Sequence, residues 1–173
     1  LGAEFNYSIC EIQPFILGGD VVSSTRVRAY LRAGEIRAAA RLLGRYPQLT
    51  SHVVQGAKRG RTIGFPTANL AVPAERLLPS NGVYASFVRV HGEGARYASA
   101  TNVGVRPSFG NSERTVESYI LDFNQDIYDR TVTLEFVEWL RPERRFEGIE
   151  ALVAQIRRDS NQARRLLATE QPS

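Results

Sequence analysis

The strongest constraint on the fold is a series of six short segments with strand character that follow one another without an intervening helical pattern. Each segment is rich in β-branched or aromatic residues, and clusters of Gly, Asn, Asp or Pro separate them, as in strands joined by turns. The predicted strands cover residues 49–55, 67–72, 83–90, 96–103, 115–123 and 131–140. Short turns without crossover helices predict an antiparallel sheet closed into a barrel.

The pattern changes after the last predicted strand. Within residues 131–140, polar side chains alternate with Val132, Leu134 and Phe136, which predicts a half-buried strand. From residue 148 onward, apolar side chains instead recur at every third or fourth position. This spacing predicts an amphipathic helix over residues 148–168 that packs on the barrel through Ile149, Leu152, Val153, Ile156, Ala163 and Leu167.

The first 46 residues have a mixed pattern. A strand-like piece covers residues 5–14, and Leu-Gly-Gly-Asp at residues 17–20 predicts a turn. The hydroxyl side chains of residues 23–25 can cap a helix that includes Val27 and Leu31. A second short helix is predicted over residues 35–43, with one side formed by Ile36, Ala39, Ala40 and Leu43.

Composition limits the class of protein. The chain has 173 residues and no apolar run near the ~20 residues that cross a bilayer, and its first residues lack a signal-peptide pattern. We therefore expect a cytoplasmic protein without a membrane partner. The single cysteine, Cys10, has no partner for an internal disulfide and is expected to be a buried small side chain. The net charge of +4 is spread along the chain, which weakly favours phosphate ligands and argues against a nucleic-acid partner; the oligomeric state stays open.

A glycine-rich segment over residues 58–70 combines features that suit a polyphosphate. Gly60 and Gly64 let backbone amides approach a ligand closely, and basic residues stand at positions 58, 59 and 61. If the chain is extended after residue 66, Thr67 and Asn69 point to the same side and offer two neutral oxygen ligands for magnesium. The alternative is a glycine-rich hairpin loop with a surface threonine and a turn asparagine.

Glu117 is the candidate for acid-base chemistry. In an extended segment over residues 115–123 it shares a face with Tyr119, Leu121 and Phe123. A carboxylate at the end of a largely apolar face is partly desolvated, which raises its proton affinity as a general base requires. The alternative is that Val116 and Ile120 form the core face and leave Glu117 in solvent.

As a whole, residues 60–70 (Gly-Arg-Thr-Ile-Gly-Phe-Pro-Thr-Ala-Asn-Leu) resemble the signature of riboflavin kinases, including the kinase module of bacterial bifunctional FAD synthetases. Further matches follow in the family's order at residues 102–110, 116–117, 121–123, 126–128 and 140–143, with Phe146. The resemblance runs from residue 49 to the end of the chain. It implies a mainly β fold, a six-stranded antiparallel Greek-key barrel with a C-terminal α-helix, preceded here by a short α-helical segment.

The resemblance also implies an activity, the transfer of the γ-phosphate of ATP to the 5′-hydroxyl of riboflavin, giving FMN and ADP, with Mg²⁺ as the metal. By this comparison Glu117 accepts the hydroxyl proton, and Thr67 and Asn69 bind the metal. The implied phosphate-binding residues are Gly60, Arg61, Gly64, Phe65, Pro66, Thr67 and Asn69. Residues 102–110 would form a flap, and the implied neighbours of the flavin ring are Asn102, Gly104, Arg106, Arg141, Phe146 and Glu150.

Residues 1–46 resemble the end of the adenylyltransferase module that precedes the kinase in these synthetases. The match to its ATP-holding element consists of Ser23, Ser24, Thr25 and Arg28. The module's His-x-Gly-His motif is absent, because neither His52 nor His91 stands in it. We therefore expect residues 1–46 to be a remnant, from a truncated chain or a degenerate gene, residues 47–173 to be the kinase domain, and adenylyl transfer to be absent.

Other functions fit the residues less well. A barrel that binds flavin or nucleotide without turnover has no use for a general base such as Glu117, and retained adenylyl transfer would yield FAD. A nucleic-acid-binding barrel in the manner of OB-folds would need strand aromatics such as Tyr84, Phe87 and Tyr97 on its surface. The sequence has no Gly-Lys pair, which argues against a P-loop kinase, and no His-Arg-Asp or Asp-Phe-Gly motif of protein kinases.

Overall fold

The computed structural model of the chain describes residue 10 and residues 12–56, 59–107 and 112–170. The side chains of Arg59, Arg61, Pro107 and Ser112 lie outside this description. So do the motif residues at 58 and 108–110 and most of the strand predicted over residues 5–14.

A two-stranded hairpin and two short helices precede the barrel. Strands β1 (Ile16–Leu17) and β2 (Asp20–Val21) pair across Gly18 and Gly19, whose φ values of 59° and 86° suit glycine. The predicted turn is therefore confirmed. Helices α1 (Ser24–Ala33) and α2 (Ile36–Leu43) follow, and Ser23 caps α1 by accepting a hydrogen bond from the Arg26 amide.

Six antiparallel strands form the closed barrel. They are β3 (Gln48–Val54), β4 (Ala68–Leu70), β5 (Gly82–Val90), β6 (Arg96–Pro107), β7 (Ser112–Ile120) and β8 (Thr131–Arg141), and the short helix α3 (Arg59–Thr62) lies between β3 and β4. Around the barrel the order is β3, β4, β7, β6, β5, β8. The predicted antiparallel barrel is confirmed. Strand β6 continues to Pro107, four residues beyond the predicted end, so residues 102–107 of the predicted flap belong to a strand. Strand β7 begins and ends three residues earlier than predicted, which leaves Leu121 and Phe123 outside the strand that carries Glu117.

Alternating side chains fill the barrel interior. Val132, Leu134 and Phe136 point inward as predicted, and the Phe136 ring packs edge-on against Tyr84 with centroids 5.4 Å apart. Glu135 departs from the predicted alternation because it too is buried. Its carboxylate lies on the outer face of the sheet, where Arg96 Nε donates to it at 2.8 Å, so burial there is compensated by an ion pair.

The C-terminal helix α4 (Ile149–Leu167) covers part of the outer face, as predicted. Ala163 and Leu167 pack against Phe87 and Val137 of the barrel. The buried stripe of the helix begins at Gln155, so its first turn lies outside this packing. Ile149, which was predicted to be packed, is consequently 66% exposed.

Helix α2 packs on the barrel through Ile36, Ala39 and Leu42. The prediction placed Leu43 on this side, but Leu42 lies one helical turn after Ala39 and takes that position, which leaves Leu43 exposed. The guanidinium of Arg37 forms ion pairs with Glu138 of β8 and with Glu170 after α4. These contacts hold α2 to both the barrel and the C-terminal end of the described chain.

Cys10 is exposed, so the prediction of a buried cysteine is wrong. Nearby Ile12 and Phe15 are exposed as well and offer it no apolar core. Among the described helices, none is both long and apolar enough to cross a membrane.

Candidate active site

The glycine-rich segment between β3 and β4 folds into a tight turn around Gly60. The Gly60 carbonyl accepts hydrogen bonds from the amides of Ile63 and Phe65 at 3.2 and 2.8 Å. A Cβ atom at Gly60 would lie 2.2 Å from the carbonyl oxygen of Phe65, so only glycine fits. Gly64 has a φ of 82°, which also favours glycine. The turn includes helix α3, which was not predicted.

Three polar residues form a row across neighbouring strands. Glu117 of β7 is the direct register partner of Asn69 on β4 and of Asn102 on β6. The residues next to Glu117, Val116 and Ser118, are buried in the barrel, so the row lies on the outer face. Directly opposed residues of an antiparallel pair have Cβ atoms about 4.5–5.5 Å apart, and the three side chains are therefore neighbours.

Glu117 is half-buried, with 36% of its side chain exposed. Val116 and Ile120 form the core face of β7, so the alternative that placed them inside is right. Glu117 nevertheless lines a cavity beside Tyr119 rather than projecting into open solvent. Its Oε1 atom lies 3.7 Å from Arg106 Nη2, which supplies a nearby positive charge.

The cavity beside Glu117, called the Glu117 cavity below, has a volume of about 350 Å³ and lies between the barrel and α4. Its apolar walls include Phe65, Tyr119, Phe146, Leu152 and Ile156, and its polar groups include Asn102, Arg141, Glu143, Arg144 and Asp159. Aromatic walls with a few converging polar groups suit a flat, mostly apolar ligand that carries polar edges.

A second cavity, the Asn69 cavity, lies on the other side of the glycine-rich turn and also has a volume of about 350 Å³. It is lined by Gly56, Pro66 and Asn69 and by the segment that runs from Phe123 to Tyr128. Gly60 and Thr67 line both cavities, so the two spaces meet at these residues. Ligands in the two cavities would approach each other at these two residues.

Thr67 and Asn69 each carry a side-chain oxygen, and Thr67 lines both cavities while Asn69 lines the Asn69 cavity. Asn69 Nδ2 donates to the Thr67 carbonyl at 3.4 Å. Over the described ranges, no hydrogen bond to a protein atom uses Asn69 Oδ1 or Thr67 Oγ1. The same part of the chain holds no cluster of three or more His, Cys, Asp or Glu side chains with metal-binding geometry. Two neutral side-chain oxygens suit a cation that takes most of its ligands from a substrate and water.

A polar network from α4 closes one side of the Glu117 cavity. The carboxylate of Asp159 accepts hydrogen bonds from Arg141, at 3.0 Å from Nε and 2.7 Å from Nη2. Gln155 Nε2 donates to Asp159 at 2.7 Å. Neither Asp159 nor Gln155 was predicted from the sequence, although a signal was present. They fall in the buried stripe of an amphipathic helix, where a polar side chain needs a partner.

The predicted site residues fall into three groups. Gly60, Phe65, Pro66, Thr67, Asn69, Asn102, Glu117, Arg141 and Phe146 each line one or both of the two cavities. Arg106 and Gly104 lie beside the Glu117 cavity, the first paired with Glu117 and the second against Glu143. Glu150 and Gly64 line neither cavity, and the Arg61 side chain is outside the description.

The residues of the predicted adenylyltransferase element lie apart from both cavities. Ser23, Ser24, Thr25 and Arg28 stand at the start of α1, where Ser23 serves as the cap. Next to them, Asp20 accepts hydrogen bonds from Tyr30 and Arg26, and these bonds hold the pKa of Asp20 below its ordinary value. This cluster joins the hairpin to α1.

Comparisons with known proteins identify the family of the chain. The family model for riboflavin kinase (flavokinase) matches residues 43–167. The bifunctional riboflavin kinase/FMN adenylyltransferase of Listeria monocytogenes is 37% identical over 168 residues, which cover 96% of this chain and 52% of that protein. The Escherichia coli K12 protein with the same description is 37% identical over 174 residues, covering 99% and 54%. The chain thus spans about half the length of the curated relatives it matches.

Two solved structures are similar to the chain. The crystal structure of a macrolide-efflux protein from Streptococcus pneumoniae superposes with a TM-score of 0.82 at 35% identity, covering 88% of this chain and 50% of that one. Riboflavin kinase from Trypanosoma brucei superposes with a TM-score of 0.51 at 27% identity, covering 72% and 81%. Because the family model also matches well over half of the sequence, the chain belongs to the riboflavin kinase family.

Proposed function

We propose that this chain transfers the γ-phosphoryl group of ATP to the 5′-hydroxyl of riboflavin, producing FMN and ADP. The observation that carries the proposal is the meeting of two cavities at Gly60 and Thr67, with Asn69 in one and Glu117 in the other. A phosphoryl transferase needs such an arrangement, because its two substrates must be held in line at a single transfer point.

Riboflavin is assigned to the Glu117 cavity. The aromatic rings of Phe65, Tyr119 and Phe146 suit an isoalloxazine ring, and Asn102 and Arg141 offer hydrogen-bond donors to its polar edge. Gly104 lies against Glu143 of the cavity lining, and Arg106 lies farther along β6, where it pairs with Glu117. Glu150 does not line the cavity, so we propose it only as a residue of the outer rim of the flavin site.

ATP is assigned to the Asn69 cavity, with its phosphates pointing toward the glycine-rich turn. The backbone of Gly60, Gly64 and Phe65 lets the phosphates approach closely, and Arg61 adds positive charge to this segment. Pro66 fixes the chain direction before Thr67.

Thr67 Oγ1 and Asn69 Oδ1 are the proposed protein ligands of Mg²⁺, directly or through water. Two neutral oxygens fit this ion, which keeps several waters and takes its remaining ligands from substrate phosphates. When bound, Mg²⁺ would neutralise the charge that develops on the transferred group.

Glu117 is the proposed general base. Its carboxylate would accept the proton of the 5′-hydroxyl as that oxygen bonds to the γ-phosphorus and the bond to the β-phosphate oxygen breaks, releasing ADP. Its register pairing with Asn69 sets the base next to the proposed metal ligands.

Residues 47–173 are proposed as the kinase domain and residues 1–46 as the end of an adenylyltransferase-like module. The start of the family match at residue 43 supports this division, as does the bifunctional description of relatives about twice as long. We propose that residues 1–173 do not by themselves transfer adenylyl groups.

The test is an assay of the purified chain with riboflavin, ATP and Mg²⁺, in which FMN and FAD are separated by chromatography. FMN without FAD is the expected result. FAD would overturn the proposal for residues 1–46. If neither product forms while riboflavin fluorescence is quenched by the protein, the chain binds flavin without turnover and the proposed transfer is wrong.

A further inference from the structure

Resting on the proposed function, we propose that Asp159 and Gln155 of α4 are positioning residues for the flavin substrate. They hold the guanidinium groups of Arg141 and Arg144 beside the Phe146 ring, and thereby set the affinity of the Glu117 cavity for riboflavin.

The first part of this polar network is the ion pair between Arg141 and Asp159. The Asp159 side chain is only 6% exposed, and both of its oxygens accept from Arg141. A third bond, from Arg141 Nη1 to the Pro142 carbonyl at 2.9 Å, fixes the plane of the guanidinium. A planar, bidentate pair of this kind allows the arginine few orientations, so its cavity face is preorganised.

The second part is Gln155, which joins this ion pair to the next arginine. Its Nε2 donates to Asp159, while its Oε1 accepts from Arg144 and Arg158. The guanidinium carbon of Arg144 lies 4.8 Å from the centre of the Phe146 ring, and that of Arg141 lies 5.8 Å from it. Two cations against one ring hold Phe146 in place as a wall of the cavity.

Stability alone does not explain this network. Helix α4 is already attached to the barrel through Leu167, Ala163 and the ion pair between Arg164 and Asp122. Burying an ion pair costs desolvation energy, and an apolar contact of equal size would hold the helix as well. Asp159 and Gln155 lie at the end of the buried stripe that is nearer the Glu117 cavity, and Asp159 lines this cavity. At this position the network can orient a bound substrate.

The test compares riboflavin and ATP kinetics in the wild type and in Asp159→Asn. The substitution keeps the shape of the side chain but removes the charge that holds Arg141. We expect the KM for riboflavin to rise at least tenfold. The Kd of the riboflavin complex without ATP, measured by fluorescence quenching, should rise by the same factor, which is the scale of one charged hydrogen bond. The KM for ATP should stay unchanged. Should Asp159→Asn fail to fold, Gln155→Ala is used and a rise in riboflavin Kd is again expected.

The matched control is Leu167→Ala, which loosens the same helix from the same barrel but lies away from the cavity. Its riboflavin KM should equal that of the wild type at a temperature where both are folded. An equal rise of the riboflavin KM in Leu167→Ala would overturn this inference but not the proposed function. So would an unchanged riboflavin KM and Kd in folded Asp159→Asn or Gln155→Ala. A wild-type chain that neither binds nor phosphorylates riboflavin would overturn the proposed function.

Discussion

Asn69 of β4 and Glu117 of β7 are direct partners across an antiparallel ladder, and both side chains lie on the outer face of the barrel. The pairing makes the Asn69 amide, which lines one cavity, a neighbour of the Glu117 carboxylate, which lines the other. In the proposed reaction, this register determines the distance between the metal site and the base. It follows that changes at each residue should affect different steps of one reaction.

Replacing Glu117 by Gln should lower turnover about 10²-fold or more, the usual scale for loss of a general base, while leaving ATP binding intact. The reason is that glutamine keeps the size and approximate shape of the side chain but does not accept the hydroxyl proton. Steady-state kinetics and ATP titration measure the two effects separately. Glu113→Gln is the control, since Glu113 is an exposed carboxylate on the same strand. Near-normal turnover in Glu117→Gln would remove this residue from the mechanism.

Replacing Thr67 or Asn69 by Ala should raise the Mg²⁺ concentration needed for half-maximal rate several-fold, because each change removes one proposed oxygen ligand. The measurement is the initial rate as a function of Mg²⁺ at fixed ATP and riboflavin. Thr50→Ala serves as the control, because Thr50 is an exposed strand hydroxyl bonded only to Thr133 in the described structure. A metal dependence equal to that of the wild type would contradict the ligand assignment.

Replacing Gly60 by Ala should lower turnover at least tenfold without unfolding the barrel. The added Cβ would meet the Phe65 carbonyl at 2.2 Å, and the clash is with backbone, so the turn between the two cavities has to shift. Misplacing reacting groups by about 1 Å costs roughly 10²-fold in rate. Gly94→Ala is the matched control, because its Cβ would meet nothing within 4 Å. Circular dichroism checks the fold of both variants, and equal turnover in the two would show that the turn tolerates the shift.

The barrel was predictable from the sequence because local patterns determine it. Alternation in segments such as residues 131–140 sets which side chains point inward, and the change to helical spacing at residue 148 marks the start of α4. The glycine-rich segment was recognisable for a similar reason, since its unusual residues are adjacent in the chain. All residues of this motif lie within residues 58–70, so the sequence alone is enough to recognise it.

The remaining features depend on contacts between distant segments. The row of Asn69, Glu117 and Asn102 exists only in one register of three strands, and a shift by one residue would turn Glu117 inward. The burial of Asp159 depends on Arg141, which lies 18 positions away. Spacing within each element does not determine either pairing, and this is why the polar network of α4 was missed.

Acid should weaken the attachment of α2 to the C-terminal end of α4. Glu170 accepts a hydrogen bond from Tyr46 and pairs with Arg37, and these contacts hold its pKa below the ordinary value of 4.5. A carboxylate with a depressed pKa stabilises the fold above its unfolded pKa and loses this contribution as the pH falls through its folded pKa. Glu170→Gln should therefore melt at a lower temperature than the wild type at pH 7, and the difference should shrink as the pH falls below 4.5 and through the lower folded pKa of Glu170.

Thermal melts of both proteins from pH 7 to pH 3 test this dependence. Glu75→Gln is the control, because Glu75 is exposed and the described structure shows no ion pair for it. Its melting temperature should follow the wild type at every pH. A constant difference between Glu170→Gln and the wild type over the whole range would mean that ionisation of Glu170 does not contribute to stability.

A row of hydroxyl groups crosses the apolar interior of the barrel, and its loss should be costly. Ser86, Ser99, Thr101 and Ser118 are fully buried, and Thr101 bonds both to Ser86 at 2.6 Å and to Ser118 at 2.9 Å. Thr101→Val keeps the side-chain volume but leaves two buried hydroxyls without this partner. We expect the free energy of unfolding to fall by about 1–3 kcal/mol, measured by urea denaturation.

The matched change is Thr50→Val, which removes an equivalent hydroxyl from a bond of 2.9 Å to Thr133 on the exposed face of the barrel. Water replaces the lost partner there, so the free energy of unfolding should change by less than about 0.5 kcal/mol. The comparison separates burial from the hydrogen bond itself, since both variants lose one hydroxyl from a strand. If Thr101→Val and Thr50→Val lower the free energy of unfolding equally, burial of the interior hydroxyl row is not the cause of the loss.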